Sequence, residues 1–298
     1  MVALGPLGLG TAPLGGLFEA VSDEQARAVI DRAWALGIRF FDTAPLYGSG
    51  LAERRLGAAL RGRPREEFVL STKVGRRIRP GTADPLFVGG APHAAVFDFS
   101  YDGALRSLDE SLERLGLDRA DLALIHDPDD HFEEALAGAW VALDRLRCEG
   151  TVAAIGIGMN QTALLARFAR ECDVDCFLLA GRYTLLDRSA LSELLPLCVE
   201  REIPVIAGGV FNSGVLAGGE TFDYAPVPKL VRERVNELRR ICTRWNTPLP
   251  AAALQFPLRH PAVASVLVGC RSVQEVEEDV RLFSLELSDG LWEELAAA

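Results

Sequence analysis

The chain has 298 residues, a length that allows two domains of about 150 residues or one α/β barrel of about 250. Its 31 Lys and Arg residues against 42 Asp and Glu residues give a net charge of −11, which disfavours binding to the phosphate backbone of a nucleic acid. A hydrophobic content of 49% with 24% charged residues is typical of a globular protein with a large core and argues against disorder.

Targeting signals and cysteine pairs are not evident in the sequence. No apolar run reaches the roughly 18 residues of a membrane span, and the opening residues MVALGPLG lack the basic and apolar stretches of a signal peptide. The six cysteines are scattered without a CxxC motif, so we expect reduced thiols. These features predict a cytoplasmic protein that binds neither membrane nor nucleic acid.

Short apolar segments alternate along the chain with longer segments of helical periodicity. The predicted strands are 6–11, 38–43, 67–74, 122–127, 153–158, 176–180, 204–208 and 265–269. The predicted helical segments are 23–36, 102–115, 133–148, 161–171, 188–201, 229–245 and 273–282. Buried strands that alternate with helices imply a parallel sheet with right-handed crossovers. Eight such units predict a (β/α)8 TIM barrel of class α/β, in a single domain over residues 1–298.

Two long segments without clear periodicity follow predicted strands. They are residues 75–99, after the third strand, and residues 209–228, after the seventh. Both leave the carboxyl ends of their strands, the face on which barrel enzymes carry their active sites. We therefore expect both segments to be irregular lids or binding loops.

Polar residues close three consecutive predicted strands. Asp42 ends the second strand and is followed by Tyr47, while Lys73 and His126 end the third and fourth. Because parallel strand ends meet at one rim of a barrel, these four side chains are expected to share a pocket. Lys73 also stands out because Lys229 is the only other lysine in the chain.

The four residue types together can form an acid/base site. A buried ammonium on Lys73 is expected to lower the pKa of the Tyr47 hydroxyl, which is otherwise near 10. The Asp42 carboxylate would keep Lys73 charged, since an unpaired buried ammonium tends to lose its proton. His126 could donate a hydrogen bond to a substrate oxygen. The four residues are thus candidate catalytic residues.

Motifs at the predicted strand ends resemble those of the aldo-keto reductases. They are DTAPLYGSGLAERRLG (42–57), STKVG (71–75), LIHDPD (124–129) and IGIGMN (155–160). The segments 97–131 and 179–188 are similar to the sugar-dehydrogenase branch of that family. The resemblance implies that Asp42, Tyr47, Lys73 and His126 are a catalytic tetrad and that NAD or NADP is the cofactor.

The resemblance also implies a reaction. Hydride would pass from C1 of an aldose such as L-fucose, D-arabinose or L-galactose to the nicotinamide, with an aldonolactone as product. Oxidation of pyridoxal, or reduction of simple aldehydes, is an alternative on the same site. A nucleotide-binding redox sensor is a further alternative. We expect a monomer or a homodimer.

The cofactor positions implied by the resemblance begin in the second half of the chain. Asn160 matches the position that binds the nicotinamide carboxamide, and the family's stacking aromatic falls at Gly208, which leaves Phe211 as a candidate. The glycine-rich loop after Gly208 suits close approach of the backbone to a pyrophosphate. Further predicted contacts in this loop are Ser213, Gly214 and Leu216.

A second group of predicted cofactor contacts follows the eighth strand. They are Gly269, Arg271, Glu275, Glu278 and Asp279. Backbone amides at the start of this helix can bind an anion, and Arg271 could stack on adenine or pair with a phosphate. Glu275 would accept a hydrogen bond from a ribose 2′-hydroxyl and repel a 2′-phosphate, which favours NAD over NADP unless Arg271 offsets the repulsion.

The acidic cluster HDPDDH (126–131) raises the question of a metal site. A catalytic zinc site would need several histidines from separate strand ends, and the chain has four histidines in all. We therefore expect no metal. Asp129, Asp130 and His131 are expected either to line a substrate pocket or to cap the next helix.

Overall fold

Eight parallel strands close into a barrel in the computed structural model, which describes residues 2–298. Each strand pairs with the next one along the chain, and the last pairs with the first. The strands are β1 (Leu7–Gly10), β2 (Phe40–Asp42), β3 (Val69–Val74), β4 (Leu122–His126), β5 (Ala154–Met159), β6 (Cys176–Ala180), β7 (Val205–Gly208) and β8 (Val263–Gly269). The predicted (β/α)8 barrel and its eight strands are confirmed.

Helices surround the barrel on its outer face. Those in the segments predicted to be helical are Asp23–Ala35, Tyr101–Leu115, Phe132–Glu134, Val141–Cys148, Thr162–Glu171, Leu194–Glu200, Lys229–Arg244 and Val273–Phe283. A π-helical turn, Ala135–Trp140, joins two of them into one continuous helix. Three further helices were not singled out by periodicity: Leu51–Leu60, Leu249–Gln255 and Asp289–Ala297.

Local sequence signals explain where several of these helices begin. Ser22 precedes the first helix, and its hydroxyl oxygen accepts a hydrogen bond from the backbone N–H of Gln25 at 3.1 Å. Ser100 and Ser272 make the same contact, with Gly103 and Glu275. Each serine satisfies one of the N–H groups that a helix start leaves without an intrahelical partner.

The alternation of side chains along the strands defines an inner and an outer apolar layer. The inner cluster fills the barrel; its buried members are Phe40, Leu122, Leu124, Ala154, Cys176, Leu178, Ile206 and Leu267. The neighbouring positions Phe41, Ala123 and Ile125 belong to the larger cluster between strands and helices. Residues two positions after an inner residue therefore also point inward, which places side chains from the strand ends at the barrel mouth.

The two long segments after β3 and β7 are more regular than predicted. An antiparallel hairpin pairs Arg76–Pro80 with His93–Phe97, within the segment expected to be irregular. The segment after β7 contains the 3-10 turn Val215–Ala217 and a small hairpin that pairs Thr221–Phe222 with Ala225–Pro226. The expectation of irregular loops was therefore wrong. The strands of the first hairpin are separated by the long segment 81–92, and those of the second are only two residues long, so neither pairing was evident from periodicity.

Two expectations about the rest of the chain can be compared with the structure. All six cysteines are free thiols, as predicted. None of the helices within residues 2–298 has the length and apolar character that crossing a bilayer requires.

The contact between two outer helices gives a test of the packing. Gly57, in the helix Leu51–Leu60, faces the backbone of Leu115 so closely that an added Cβ would overlap the Leu115 carbonyl oxygen. We expect Gly57→Ala to lower the free energy of unfolding by about 2 kcal/mol, since overpacking outweighs the better helix propensity of alanine. Urea denaturation measures this change. The matched Gly5→Ala variant, which meets no atom closer than 3.8 Å, should change it by less than about 0.5 kcal/mol.

Candidate active site

The ammonium group of Lys73 is the centre of the polar cluster at the barrel mouth. Its Nζ donates to Asp42 Oδ2 at 2.7 Å, to the backbone oxygen of Thr43 at 2.9 Å and to the Tyr47 hydroxyl at 3.2 Å. The Lys73 residue is 1% exposed. All three ammonium hydrogens thus have an acceptor, which is the condition for keeping a charge inside a protein.

Strand alternation explains why these side chains meet. Asp42 lies two positions after the inward residue Phe40, and His126 lies two positions after the inward residue Leu124. Lys73 is close enough to the inner face of β5 that a Cβ built on Gly158 would meet its Cε at 3.6 Å. The structure thus brings together Asp42, Lys73 and His126 from three strand ends, with Tyr47 from the loop after β2.

His126 is held as a neutral imidazole. The residue is buried, and its ring stands perpendicular to that of Tyr47, with 6.0 Å between the centroids. Burial, with Lys73 and Arg76 nearby, lowers the pKa of His126 well below its ordinary value. A neutral imidazole carries one N–H, so His126 can donate a hydrogen bond to a substrate oxygen without adding positive charge.

The pKa of Tyr47 differs from the expectation drawn from its lysine neighbour. Burial raises the pKa of Tyr47 to about 12, Lys73 lowers it, and Asp42 raises it further. The prediction that Lys73 would lower the pKa was correct for the contribution of Lys73 but wrong for the net direction, because desolvation of the phenolate outweighs the ammonium. Tyr47 therefore holds its proton at neutral pH. Because Lys73 donates to the Tyr47 oxygen, that proton is left to face a substrate.

Lys73 itself remains an ammonium group. Burial lowers its pKa, but the charge of Asp42 and the hydrogen bonds to Asp42 and Tyr47 outweigh burial and hold the pKa of Lys73 above its ordinary value. The expectation that Asp42 keeps Lys73 charged agrees with this arrangement.

Three further side chains lie at the mouth: Asp127, which the sequence placed in the acidic cluster 126–131, and Phe87 and Tyr224, which it did not single out. Phe87, from the loop of the long hairpin, stacks on Tyr47 with 6.0 Å between ring centroids. Asp127 places Oδ2 3.4 Å from His126 Nε2 and 3.0 Å from Arg76. Tyr224, at the tip of the hairpin after β7, contacts Phe18 with 6.0 Å between ring centroids. The positions of Phe87 and Tyr224 depend on the conformations of two loops, for which the sequence carried no distinct signal.

The predicted cofactor residues near β5 and β7 occupy the same rim. Asn160 directly follows β5 and is half-buried, and its amide makes no hydrogen bond with the described residues. Gly208 ends β7, where a Cβ would lie 3.3 Å from Leu178, and Phe211 packs partly buried against the outer apolar layer. Asn160 thus has a free amide at the position where a carboxamide is expected.

The remaining predicted residues of the glycine-rich loop mainly support its fold. Ser213 accepts hydrogen bonds from Tyr224 N–H, through its hydroxyl, and from the Thr221 hydroxyl, through its carbonyl. Gly214 has a φ of 103°, a conformation that favours glycine. Leu216 is 1% exposed, so only its backbone is available to a ligand.

The segment after β8 carries free backbone N–H groups close to acidic side chains. Gly269 ends β8, and the helix Val273–Phe283 begins four residues later. The N–H groups of Val273 and Gln274 have no acceptor among residues 2–298. Free first-turn amides fit a phosphate group. The donor set of this rim therefore fits a dinucleotide.

The charged residues around that helix start are already paired. Glu275 Oε2 accepts from the Arg271 backbone N–H at 2.6 Å, and the Arg271 guanidinium lies 3.2 Å from Glu19. Glu278 pairs with Arg281 on the helix surface at 2.7 Å. Glu275 therefore has a structural role at the helix start in addition to any contact with a ribose.

The acidic cluster after β4 does not assemble around a common point. Asp129 and Asp130 lie in the 3-10 turn Asp129–His131, and His131 Nδ1 lies 3.1 Å from Glu134. The His131 ring packs on Phe97 with 5.0 Å between centroids. Within residues 2–298, no three His, Cys, Asp or Glu side chains are placed to hold a metal ion together.

A closed parallel barrel with this tyrosine, ammonium and imidazole at its carboxyl rim has the form of a barrel enzyme whose side chains can exchange a proton with a substrate oxygen. The sequence model described as "Aldo/keto reductase family" matches residues 6–298. The chain belongs to the aldo/keto reductase family, whose members use nicotinamide cofactors.

Individual proteins similar to this chain include two curated dehydrogenases and a solved structure. A D-threo-aldose 1-dehydrogenase from Pseudomonas sp. is 44% identical over 311 residues, covering 100% of this chain and 94% of the relative. A pyridoxal 4-dehydrogenase from Microbacterium luteolum is 44% identical, covering 96% and 91%. The holo form of an aldo-keto reductase from Bacillus halodurans superposes with a TM-score of 0.81 at 26% identity, covering 99% and 92%.

Asp279 makes stability depend on pH. It is 9% exposed and accepts a hydrogen bond from the Cys270 thiol at 3.4 Å. Burial raises its pKa to about 7 from an ordinary 3.8. Between those two values the folded state binds more protons than the unfolded state, so this group costs stability as pH rises. We compare the unfolding free energy of Asp279→Asn with that of the wild type. We expect this difference to be roughly 2 kcal/mol more favourable to the variant at pH 8 than at pH 5.

Urea denaturation at the two pH values, without nucleotide, measures this difference. The control is Asp109→Asn, which removes an exposed carboxylate from a helix surface. The unfolding free energy of this control should differ from that of the wild type by the same amount at both pH values. If the difference in unfolding free energy between Asp279→Asn and the wild type were also independent of pH, the pKa of Asp279 would not be raised in the folded state.

Proposed function

We propose that the protein is an NAD-preferring aldose 1-dehydrogenase. It oxidises C1 of an aldose of the L-fucose, D-arabinose or L-galactose type and yields an aldonolactone. The observation that carries the proposal is the hydrogen-bonded set of Asp42, Lys73 and Tyr47 beside neutral His126 at the barrel mouth. The 44% identity to an aldose 1-dehydrogenase supports the choice of substrate.

Each member of the set has a distinct task in this reaction. His126 donates a hydrogen bond to the anomeric hydroxyl oxygen and orients it. Tyr47 first loses its own proton, and Lys73 stabilises the resulting phenolate. This phenolate then removes the hydroxyl proton as C1 loses hydride and becomes a neutral phenol again. The nicotinamide, when bound, supplies the hydride acceptor. Because the pKa of Tyr47 is about 12, oxidation should be faster at alkaline than at neutral pH.

The cofactor is held by two parts of the rim. Asn160 binds the carboxamide, and Gly208, with the loop that contains Phe211, lines the nicotinamide side. The free amides at the start of the helix Val273–Phe283 would hold the phosphates. Further proposed contacts are Ser213, Gly214, Leu216, Gly269, Arg271, Glu275, Glu278 and Asp279.

A second candidate function is oxidation of pyridoxal. The pyridoxal 4-dehydrogenase of Microbacterium luteolum is as similar to this chain as the aldose enzyme is, at 44% identity. The same four side chains would act on either substrate, since differences at the rim of the pocket decide between them. The single domain, the cytoplasmic location and the monomeric or dimeric state remain predictions.

Formation of reduced nicotinamide at mildly alkaline pH tests the proposal. The substrates are L-fucose, D-arabinose, L-galactose, L-rhamnose, D-glucose and pyridoxal, each with NAD or NADP. We expect turnover of the first three sugars with NAD. Turnover of pyridoxal alone would replace the proposed substrate, and a nucleotide complex inactive on all six would contradict the aldose function.

Removing the Tyr47 hydroxyl tests its role in the same assay. We expect Tyr47→Phe to lower kcat about a thousandfold, since it removes the group that takes the proton. Binding of NADH, followed by fluorescence, should change less than twofold. Tyr101→Phe is the control, because the Tyr101 hydroxyl bonds Arg145 at the outer surface. Equal activity of Tyr47→Phe and Tyr101→Phe would exclude Tyr47 as the proton acceptor.

Cofactor preference tests the role of Glu275. Glu275→Gln keeps an oxygen for the Arg271 N–H and removes the charge that repels a 2′-phosphate. We expect the Kd of NADPH to fall about fivefold, as one nearby charge at a partly exposed site contributes about 1 kcal/mol, with little change for NADH. Glu277→Gln, which breaks a surface pair with Arg32, should alter neither Kd. An equal change for both nucleotides would contradict a 2′-specific role.

A further inference from the structure

Asp127 has an unusual backbone conformation directly beside the imidazole. Its φ is 43°, in the left-handed region that non-glycine residues rarely occupy because it is strained for them. Its backbone N–H donates to the Gly158 carbonyl of β5 at 3.0 Å, which holds this conformation in place. The turn directs the side chain back towards His126, where Oδ2 lies 3.4 Å from Nε2.

Arg76 fixes the carboxylate from the other side. The Arg76 guanidinium contacts Asp127 Oδ2 at 3.0 Å through one nitrogen and lies over the Phe97 ring at 4.3 Å. Both partners are largely shielded, with 15% of the Arg76 side chain and 34% of the Asp127 side chain exposed. Asp127 Oδ1 receives no hydrogen bond from the described residues. The carboxylate is thus rigid, partly desolvated and open to one more donor.

The Asp127 carboxylate, with its open acceptor, lies beside the proposed position of the reacting atoms. In the proposed reaction the substrate oxygen lies between the Tyr47 hydroxyl and His126 Nε2. The Asp127 carboxylate adjoins the same nitrogen, which puts it within reach of a group on the carbon next to the reacting carbon. A carboxylate accepts hydrogen bonds and donates none. A hydroxyl is the neutral group that fits it, whereas a hydrogen or an alkyl carbon leaves it without a donor.

We propose that Asp127, held by Arg76, accepts a hydrogen bond from the hydroxyl on the carbon adjacent to the reacting carbon and makes the site specific for α-hydroxylated substrates. This inference rests on the proposed function and identifies which feature of the aldose is recognised. Burial raises the pKa of Asp127 while Arg76 opposes the shift. Such partial desolvation strengthens a hydrogen bond that is made and makes a missing one more costly.

A pair of sugars that differ only at this hydroxyl tests the inference. D-arabinose and 2-deoxy-D-ribose are the same pentose with and without the 2-hydroxyl. We expect the wild type to prefer D-arabinose by about thirtyfold in kcat/KM, as a hydrogen bond to a charged group contributes about 2 kcal/mol. Asp127→Asn should reduce this preference to less than about threefold, mainly by losing activity on D-arabinose.

Two controls separate recognition from damage to the fold. Asp118→Asn, at an exposed position between a helix and β4, should keep the wild-type preference. The activity of Asp127→Asn on 2-deoxy-D-ribose should stay within about threefold of the wild type, which a distorted His126 would not allow. A second variant, Arg76→Met, should also weaken the preference because it releases the carboxylate.

The possible outcomes distinguish this inference from the proposed function. A wild type that oxidises both sugars equally well, or an Asp127→Asn variant that loses both activities in parallel, would overturn the inference and leave the aldose dehydrogenase intact. A wild type that oxidises neither sugar would contradict the proposed function, and the inference would fall with it.

Discussion

Lys73 carries a positive charge into the barrel interior, where desolvation alone would lower its pKa. Three acceptors prevent this: one carboxylate oxygen of Asp42, one backbone carbonyl and the Tyr47 hydroxyl. Removing one partner of such a buried pair costs far more than a surface ion pair contributes. The ammonium therefore organises the site, since both Asp42 and Tyr47 take their positions from it.

The charge of Lys73 acts on a tyrosine that is itself shielded from water. Burial favours the neutral phenol, Lys73 favours the phenolate, and the balance leaves the pKa of Tyr47 at about 12. The group is thus a proton donor at rest, as carbonyl reduction requires. In the oxidative direction its proton must leave before the substrate is deprotonated, and the buried ammonium then stabilises the resulting phenolate. One arrangement of charges therefore supports both directions, with pH and cofactor supply deciding between them.

The fold and the strand-end residues could be predicted because they follow from periodicity. Alternation within β2, β3 and β4 determines that Asp42, Lys73 and His126 point inward, and parallel pairing determines that their ends meet. The hairpins after β3 and β7 could not be predicted in this way. One of them turns at Asp223 and Tyr224, both with positive φ, without the glycine or asparagine that usually marks such a turn. The upward shift in the pKa of Tyr47 could not be predicted either, because it results from burial, and the burial of one side chain depends on the whole fold.

The proposed catalytic side chains and the side chains that surround them come from different parts of the fold. The groups proposed to move protons are on or beside strands of the closed barrel, where neighbouring strands restrict their movement. The groups around them come from connecting segments: Arg76 and Phe87 from the hairpin after β3, and Tyr224 from the hairpin after β7. Loops tolerate sequence change better than barrel strands do. Relatives of equal identity that act on an aldose and on pyridoxal are therefore expected to differ in these segments while keeping the same polar cluster.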